Sequence, residues 1–299
     1  MVSFLRGVMM KYFFCVAIIV AIMFLRSYII FRIFTPKIKK DKKYPNSTYE
    51  NIDIELDTGT IRGWLIKCEQ ARGCFLLIHG WGSNKSDMLR YVDPLLASGY
   101  DVIIVDVLGH GQSATIQKQA SIASFVQSIT ATIDYVEGRP DINSNAIYVL
   151  GHSMGGIAAS IVNATDLRLQ ALITDSMPTS LKSISQSMAG RVKIPYIPFG
   201  WLFVSWFLLR GDVFLKARKE WCLEKILKNQ QSPALAIHSI HDKKVSISNV
   251  DVLINDSNFK QVIKVTTKGH HHCVKDKSFW DNVFHFLASH KEEIVDEIY

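Results

Sequence analysis

The chain has 299 residues and a formal charge of +7, with 48% hydrophobic and 20% charged residues. This balance excludes a disordered or fibrous chain and leaves room for one large globular domain or two small ones. Much of the excess of positive charge lies in one short run without interleaved aromatic residues, so nucleic acid is not expected as a partner. The run consists of Lys37, Lys39, Lys40, Lys42 and Lys43.

The first informative segment is apolar. Residues 12–25, "YFFCVAIIVAIMFL", carry no charge, and the apolar character resumes after Arg26 and continues to Phe34. A helix of about 23 residues, rising ~1.5 Å per residue, spans a ~30 Å hydrocarbon core with some tilt. A signal peptide is the alternative, but the bulky "LRSYIIFRIF" that follows offers no small-residue cleavage site, which favours an uncleaved transmembrane anchor.

Lysine and arginine are denser after this segment than before it, which indicates that the main domain lies on the cytoplasmic side of a membrane. The polar stretch 44–51, "YPNSTYEN", is typical of a linker. We therefore predict an anchor with a basic flank over residues 1–45 and the main domain over residues 46–299.

The pattern of the remaining chain predicts an α/β domain. Alternating residues on either side of Thr58-Gly59 indicate two antiparallel strands, and helices are expected near 86–98 and 120–138. Short, unbroken apolar runs alternate with helical stretches, as in a mostly parallel sheet covered by helices on both faces. These runs are "CFLLIHG", "DVIIVD", "AIYVLG", "LQALITD", "ALAIHSI" and "QVIKVTT".

Residues 177–231 interrupt this alternation of strands and helices, because they contain no clear strand and include the aromatic-rich "KIPYIPFGWLFVSWFLLRGDVF". The apolar part is too short for a second membrane span. We predict a helical cap inserted over the site, with a pair of ordinary core helices as the alternative. The apolar stretch 195–209 suggests that the cap faces lipid.

One five-residue stretch carries a specific chemical signal. Gly151-His152-Ser153-Met154-Gly155 fits G-x-S-x-G, between a strand-like run and a small-residue helix. In this nucleophile elbow a strand turns sharply into a helix, and flanking glycines leave the serine Oγ exposed. Ser153 is therefore the candidate nucleophile.

From about residue 50 onward the chain resembles the α/β-hydrolase fold superfamily. The resemblance rests on the order and spacing of "HGWGSNKSD", "DVLGHGQS", "GHSMGG", "HDKKVSI" and "KGHHHCVKDKSFW". It implies a Ser-acid-His order along the chain. Asp242 is the expected acid, with Asp175 as the alternative, and His270 is the expected base, with His271 and His272 as alternatives. His79, His110 and His152 are expected to be structural.

The resemblance also implies an oxyanion hole formed by the backbone N–H groups of Trp81 and Met154. The expected activity is hydrolysis of carboxylic esters of apolar or lipid-like substrates through an acyl-enzyme. A peptidase, an acyltransferase and a catalytically silent binding module remain alternatives.

The five cysteines are scattered and show no C-x-x-C spacing, so no disulfide framework is expected. Cys273 follows three histidines, but one crowded loop without a second ligand pair is a weak indication of a metal site. Neither a metal nor an organic cofactor is expected.

Overall fold

The computed structural model describes residues 2–113, 120–180, 183–184, 186–187 and 223–296. Eight strands within these ranges form one sheet. The strands are β1 (Tyr49–Leu56), β2 (Gly59–Ile66), β3 (Cys74–Ile78), β4 (Asp101–Asp106), β5 (Ile147–His152), β6 (Leu169–Asp175), β7 (Ala234–Ser239) and β8 (Gln261–Val265). The α-helices are α1 (Val2–Phe34), α2 (Val92–Ala97), α3 (Ile122–Glu137), α4 (Met154–Asn163), α5 (Leu223–Lys228), α6 (Ser248–Asp256) and α7 (Phe279–Asp296).

The sheet is mostly parallel, which confirms the prediction from the apolar runs. Its strand order is β1-β2-β4-β3-β5-β6-β7-β8. β1 and β2 form an antiparallel hairpin in which Leu56 pairs with Gly59, and β2 is antiparallel to β4. All other neighbouring strands are parallel. The carboxyl ends of β3 to β8 therefore lie at one edge of the sheet, where ligands bind in such folds.

Both faces of the central strands β3 to β7 are buried, which explains why these strands are mostly apolar. Along β3, Leu76 packs in the core on the side of α3 and α4, whereas Leu77 packs on the side of α2 and α7. Successive side chains of a strand point to opposite faces, so a strand covered on both sides has no place for polar residues.

Two local predictions need correction. The helix expected near 86–98 is a 3₁₀-helix, Lys85–Tyr91, followed by α2. Pro94 has no N–H to donate to the carbonyl of residue 90, which prevents one continuous α-helix. In addition, α6 lies between β7 and β8, where no helix was predicted.

The N-terminal helix α1 contains a stretch, Val8–Leu25, that is long and apolar enough to cross a membrane and has a mean hydropathy of 2.5. None of this stretch is buried against the rest of the protein. Length and composition are thus compatible with an anchor, and equally with a signal sequence.

Most of the predicted cap, including residues 195–209, lies outside the described residues, which resume at α5. The division into an anchor, a domain and a cap stays a prediction.

Candidate active site

Ser153 lies at the sharp turn between β5 and α4, with φ 54° and ψ −116°. Its N–H donates to the carbonyl oxygen of Asp175 at 2.9 Å. The flanking positions require glycine, because a Cβ at Gly151 would lie 2.5 Å from the oxygen of Gly155, and one at Gly155 would lie 2.4 Å from the oxygen of Ile78. The chain therefore holds Ser153 in a conformation that L-residues rarely adopt.

His270 and Asp242 lie in the loops that follow β8 and β7. Nδ1 of His270 is 2.6 Å from Oδ2 of Asp242. The other oxygen, Oδ1, accepts hydrogen bonds from the backbone N–H groups of Lys244 at 2.7 Å and Val245 at 3.1 Å. Burial raises the pKa of Asp242, but the hydrogen bond and charge of His270 and these two N–H groups outweigh it and hold the pKa below its usual value. Asp242 is thus a carboxylate that orients His270.

Ser153 and His270 line the same pocket, to which Trp81 and Met154 also contribute. Ser153 and His270 are both among the described residues, and Oγ of Ser153 makes no hydrogen bond to His270. Such bonds are often long without substrate and shorten when it binds. The structure therefore brings the predicted nucleophile, base and acid to one site, with the base and acid in direct contact.

The loop after β3 passes directly over the nucleophile. A Cβ at Gly80 would lie 3.1 Å from the Cβ of Ser153, so the backbone on either side of Gly80 borders the reacting group. Met154 is the first residue of α4, and the N–H groups of a first helical turn have no partner inside the helix. The backbone N–H groups of Trp81 and Met154 thus belong to two segments that border Ser153.

His79 braces this loop, as the sequence predicted. Its Nδ1 lies 2.8 Å from the carbonyl oxygen of Gly80, and its Nε2 accepts from the N–H of Val107 at 3.1 Å. Because the carbonyl only accepts and the amide only donates, Nδ1 of His79 carries the proton. Burial lowers the pKa of His79, so the ring is neutral and has a structural role.

The two histidines next to His270 make different contacts. His271 lines the pocket, where its Nε2 lies 3.3 Å from Nζ of Lys244, and desolvation together with the neighbouring imidazoles lowers its pKa. His272 is exposed, with Nδ1 2.7 Å from the carbonyl oxygen of Lys268. Of the three histidines, His270 is the one paired with a carboxylate.

Asp175, the alternative acid, belongs to a separate buried group. Its Oδ2 accepts from Oη of Tyr91 at 2.5 Å and its Oδ1 accepts from Oγ of Ser176 at 2.8 Å, while Arg90 donates to Tyr91 at 2.9 Å. Burial raises the pKa of Asp175, but His152, Arg90 and Tyr91 together bring it well below its usual value. Sequence reasoning missed this group, since no local pattern links Tyr91 to a residue 84 positions away.

His152 connects this buried group to the candidate base. Its Nδ1 lies 3.7 Å from Oδ2 of Asp175, and its ring packs against those of His270 and His271 at centroid distances of 4.8 and 4.7 Å. Burial lowers the pKa of His152 to about 4, so the ring is neutral at pH 7. It therefore places no positive charge beside the ring of His270.

Cys273, which the sequence placed next to the histidines, is buried, with its Sγ 3.4 Å from Oγ of Ser176. Among the described residues, no three His, Cys, Asp or Glu side chains are grouped so that they could hold a metal ion.

Comparison with known proteins gives one consistent fold. Residues 69–188, less than half of the chain, match the family described as serine aminopeptidase, S33. The chain is similar to the α/β hydrolase domain-containing protein WAV2 of Arabidopsis thaliana, with 26% identity over 223 residues, covering 68% of this chain and 67% of that protein. Other curated relatives match over about half of their own length.

Solved structures agree. Esterase Pf2001 of Pyrococcus furiosus has a TM-score of 0.69 at 18% identity, covering 85% of this chain and 97% of its own. A bacterial membrane phospholipase A has a TM-score of 0.61 at 17% identity, covering 97% of this chain and 99% of its own. With the parallel sheet and the turn at Ser153, these matches show that the chain has the α/β-hydrolase fold.

Proposed function

We propose that the chain is a serine hydrolase that cleaves carboxylic esters, with Ser153 as nucleophile, His270 as general base and Asp242 as the acid that orients it. One observation carries the proposal: Ser153, on a strained turn, shares a pocket with His270, whose Nδ1 lies 2.6 Å from buried Asp242. A serine hydroxyl is a poor nucleophile at neutral pH and needs such a base.

The geometry supports the following sequence of steps. Asp242 accepts from Nδ1–H of His270, which leaves Nε2 free to take the proton of Ser153 Oγ as that oxygen attacks the ester carbonyl. The resulting imidazolium is stabilised by Asp242 and then protonates the departing alcohol, leaving an acyl-enzyme. Water, deprotonated by the same imidazole, releases the acid and restores Ser153.

Negative charge develops on the carbonyl oxygen in both steps. We assign its stabilisation to the backbone N–H groups of Trp81 and Met154, which border Ser153 in the pocket. Loss of one such donor typically costs ~3 kcal/mol of transition-state stabilisation. Because these donors belong to the backbone, side-chain substitutions at the two positions change the shape of the pocket and leave the donors in place.

We further propose that α1 anchors the protein in a membrane with the domain on the cytoplasmic side, and that the substrate is apolar or lipid-like. The 18-residue apolar stretch Val8–Leu25 supports the anchor. The lysine run that follows it supports the cytoplasmic orientation of the domain. The similarity to a membrane phospholipase A supports an ester substrate held in lipid.

A peptidase is the second candidate, since the matching family is described as serine aminopeptidase. The same nucleophile, base and oxyanion hole can cleave amides and transfer acyl groups, so the substrate has to separate these activities. A catalytically silent module is less compatible with a carboxylate buried against His270.

Two measurements on the full-length protein in detergent test the proposal. Labelling by a fluorophosphonate probe should occur in the wild type and be absent in Ser153→Ala. A panel of p-nitrophenyl esters of increasing acyl length, run beside aminoacyl p-nitroanilides, should show turnover of esters. Labelling without turnover of any ester would point to a peptidase or acyltransferase, and absence of labelling to a binding module.

A further inference from the structure

The linker between α1 and β1, residues 35–48, is attached to the domain through a buried charge. The side chain of Asp41 is 2% exposed, although its neighbours from Lys37 to Lys40 are exposed. Its Oδ2 lies 2.8 Å from Nζ of Lys85, itself 1% exposed and 2.9 Å from Oδ2 of Asp106. Charges are rarely buried unless paired, so this contact fixes the position of the linker.

Further hydrogen bonds attach the linker to the same loop. Nδ2 of Asn84 donates to Oδ1 of Asp41 at 3.0 Å and reaches the carbonyl oxygen of Lys39 at 3.4 Å. Asn84 ends the loop after β3, which also contains Trp81, and Lys85 begins the 3₁₀-helix that follows this loop. The linker therefore lies against the loop that borders the nucleophile.

As a result, Lys39 lines the pocket that contains Ser153. Its Nζ lies 3.4 Å from Oδ2 of Asp87, and both side chains are nearly half exposed, at 47% and 41%. An exposed ion pair of this length is worth ~1 kcal/mol or less, so a substrate anion can replace Asp87 as its partner at little cost. Lys244 lines the same pocket, and the described lining residues include no Asp or Glu.

We propose that Lys39 is a specificity-determining residue that favours esters carrying an anionic group, a carboxylate or a phosphate, close to the scissile carbonyl. Asp41 is the positioning residue that holds Lys39 at the pocket. The inference rests on the proposed ester hydrolysis and adds the charge of the substrate to it. The membrane-proximal linker thereby becomes one wall of the active site.

The test uses the full-length protein and two soluble esters with the same acyl group, neutral p-nitrophenyl butyrate and anionic 3-carboxy-4-nitrophenyl butyrate. For each variant the ratio of kcat/KM for the anionic ester to that for the neutral ester is compared with the wild type. Lys39→Gln should lower this ratio about tenfold, because the positive charge that pairs with the anionic group of the substrate is lost. Lys40→Gln, an exposed neighbour with the same change in net charge, should leave the ratio unchanged.

The Asp41→Asn variant distinguishes the effect of the position of Lys39 from the effect of the overall charge of the protein. This variant makes the protein more positive, so a general field effect would raise the ratio, whereas release of Lys39 from the pocket should lower it. The proposal is wrong if Lys39→Gln and Lys40→Gln give equal ratios, or if Lys39→Gln slows both esters equally. A wild type that hydrolyses neither ester would overturn the proposed function, and this inference with it.

Discussion

Nδ1 of His270 and Oδ2 of Asp242 lie 2.6 Å apart, although 28 residues separate them along the chain. The contact arises because β7 and β8 are parallel neighbours, so the loops that leave their carboxyl ends meet at one edge of the sheet. An ionised carboxylate only accepts hydrogen bonds, so Nδ1 carries the proton and Nε2 is left as the basic nitrogen. This tautomer is the one that a general base for Ser153 requires.

Replacing the nucleophile should remove activity without unfolding the protein. In Ser153→Ala, kcat for ester hydrolysis should fall by several powers of ten, because the substitution deletes one oxygen from a turn whose backbone is unchanged. Single-turnover assays and circular dichroism measure the two effects. A variant that keeps a tenth of wild-type turnover would contradict the assignment of Ser153.

Substitutions of the three consecutive histidines should have very different effects on kcat. His270→Ala should be as damaging to kcat as Ser153→Ala, since base and nucleophile act as a unit, whereas His271→Ala and His272→Ala should be mild. Steady-state kinetics of the three variants provide matched controls for one another. A large loss in His271→Ala alone would move the base by one position.

Substitution of the two candidate acids should lower kcat by different amounts. Asp242→Asn should lower kcat less than His270→Ala but more than Asp175→Asn, because Asp242 contacts the base directly whereas Asp175 is engaged by Tyr91 and Ser176. Rates must be normalised to folded protein, since Asp175 is fully buried. A greater kcat loss in Asp175→Asn than in Asp242→Asn would assign the acid to the end of β6.

Buried His152 should make the protein sensitive to acid. Its pKa is about 4 in the folded state against ~6.5 when unfolded, so between these values the unfolded chain binds more protons. The free energy of unfolding should therefore fall by ~3 kcal/mol from this group as pH drops from 6.5 to 4. Urea denaturation of His152→Gln should show a fall that is smaller by that amount, while exposed His272→Gln should follow the wild type.

Removal of Lys85 should lower the free energy of unfolding more than removal of one of its carboxylate partners. Lys85→Met leaves Asp41 and Asp106 without their shared cation and should lower the free energy of unfolding by ~3–5 kcal/mol. Asp41→Asn keeps the pair between Lys85 and Asp106 and should cost about 1–3 kcal/mol. Denaturant unfolding monitored by tryptophan fluorescence measures both. Equal losses in the two variants would argue against Lys85 as the centre of the group.

Two truncated chains should separate the contribution of the anchor to activity from that of the linker. A chain starting at Thr35 should be soluble and hydrolyse short-chain esters at the wild-type rate, but lose rate on long-chain esters embedded in vesicles. A chain starting at Tyr44 also lacks Lys39 and Asp41, and should in addition be less stable. Activities of the full-length and truncated forms in the same vesicles test this, and an unchanged ratio of long-chain to short-chain activity would contradict the prediction that the cap faces lipid.

The sequence by itself predicted the strands and the turn that holds the candidate nucleophile. Apolar runs identified the strands because a strand buried on both faces excludes polar residues, and the glycines around Ser153 identified the turn because a Cβ at Gly151 or Gly155 would strike backbone oxygen. Both signals are local, since they depend on residues within a few positions of one another.

Only the tertiary structure decided which distant groups meet. In the sheet, His152 is paired in register with Asp175, and the neighbouring β7 and β8 bring Asp242 to His270. The contact of Asp41 with Lys85, which brings the linker to the pocket, is also absent from any local pattern. Such contacts depend on strand order and register, which long-range pairing and burial set for the whole domain. The motifs therefore offered Asp242 and Asp175 as candidates, and the fold decided which of them contacts His270.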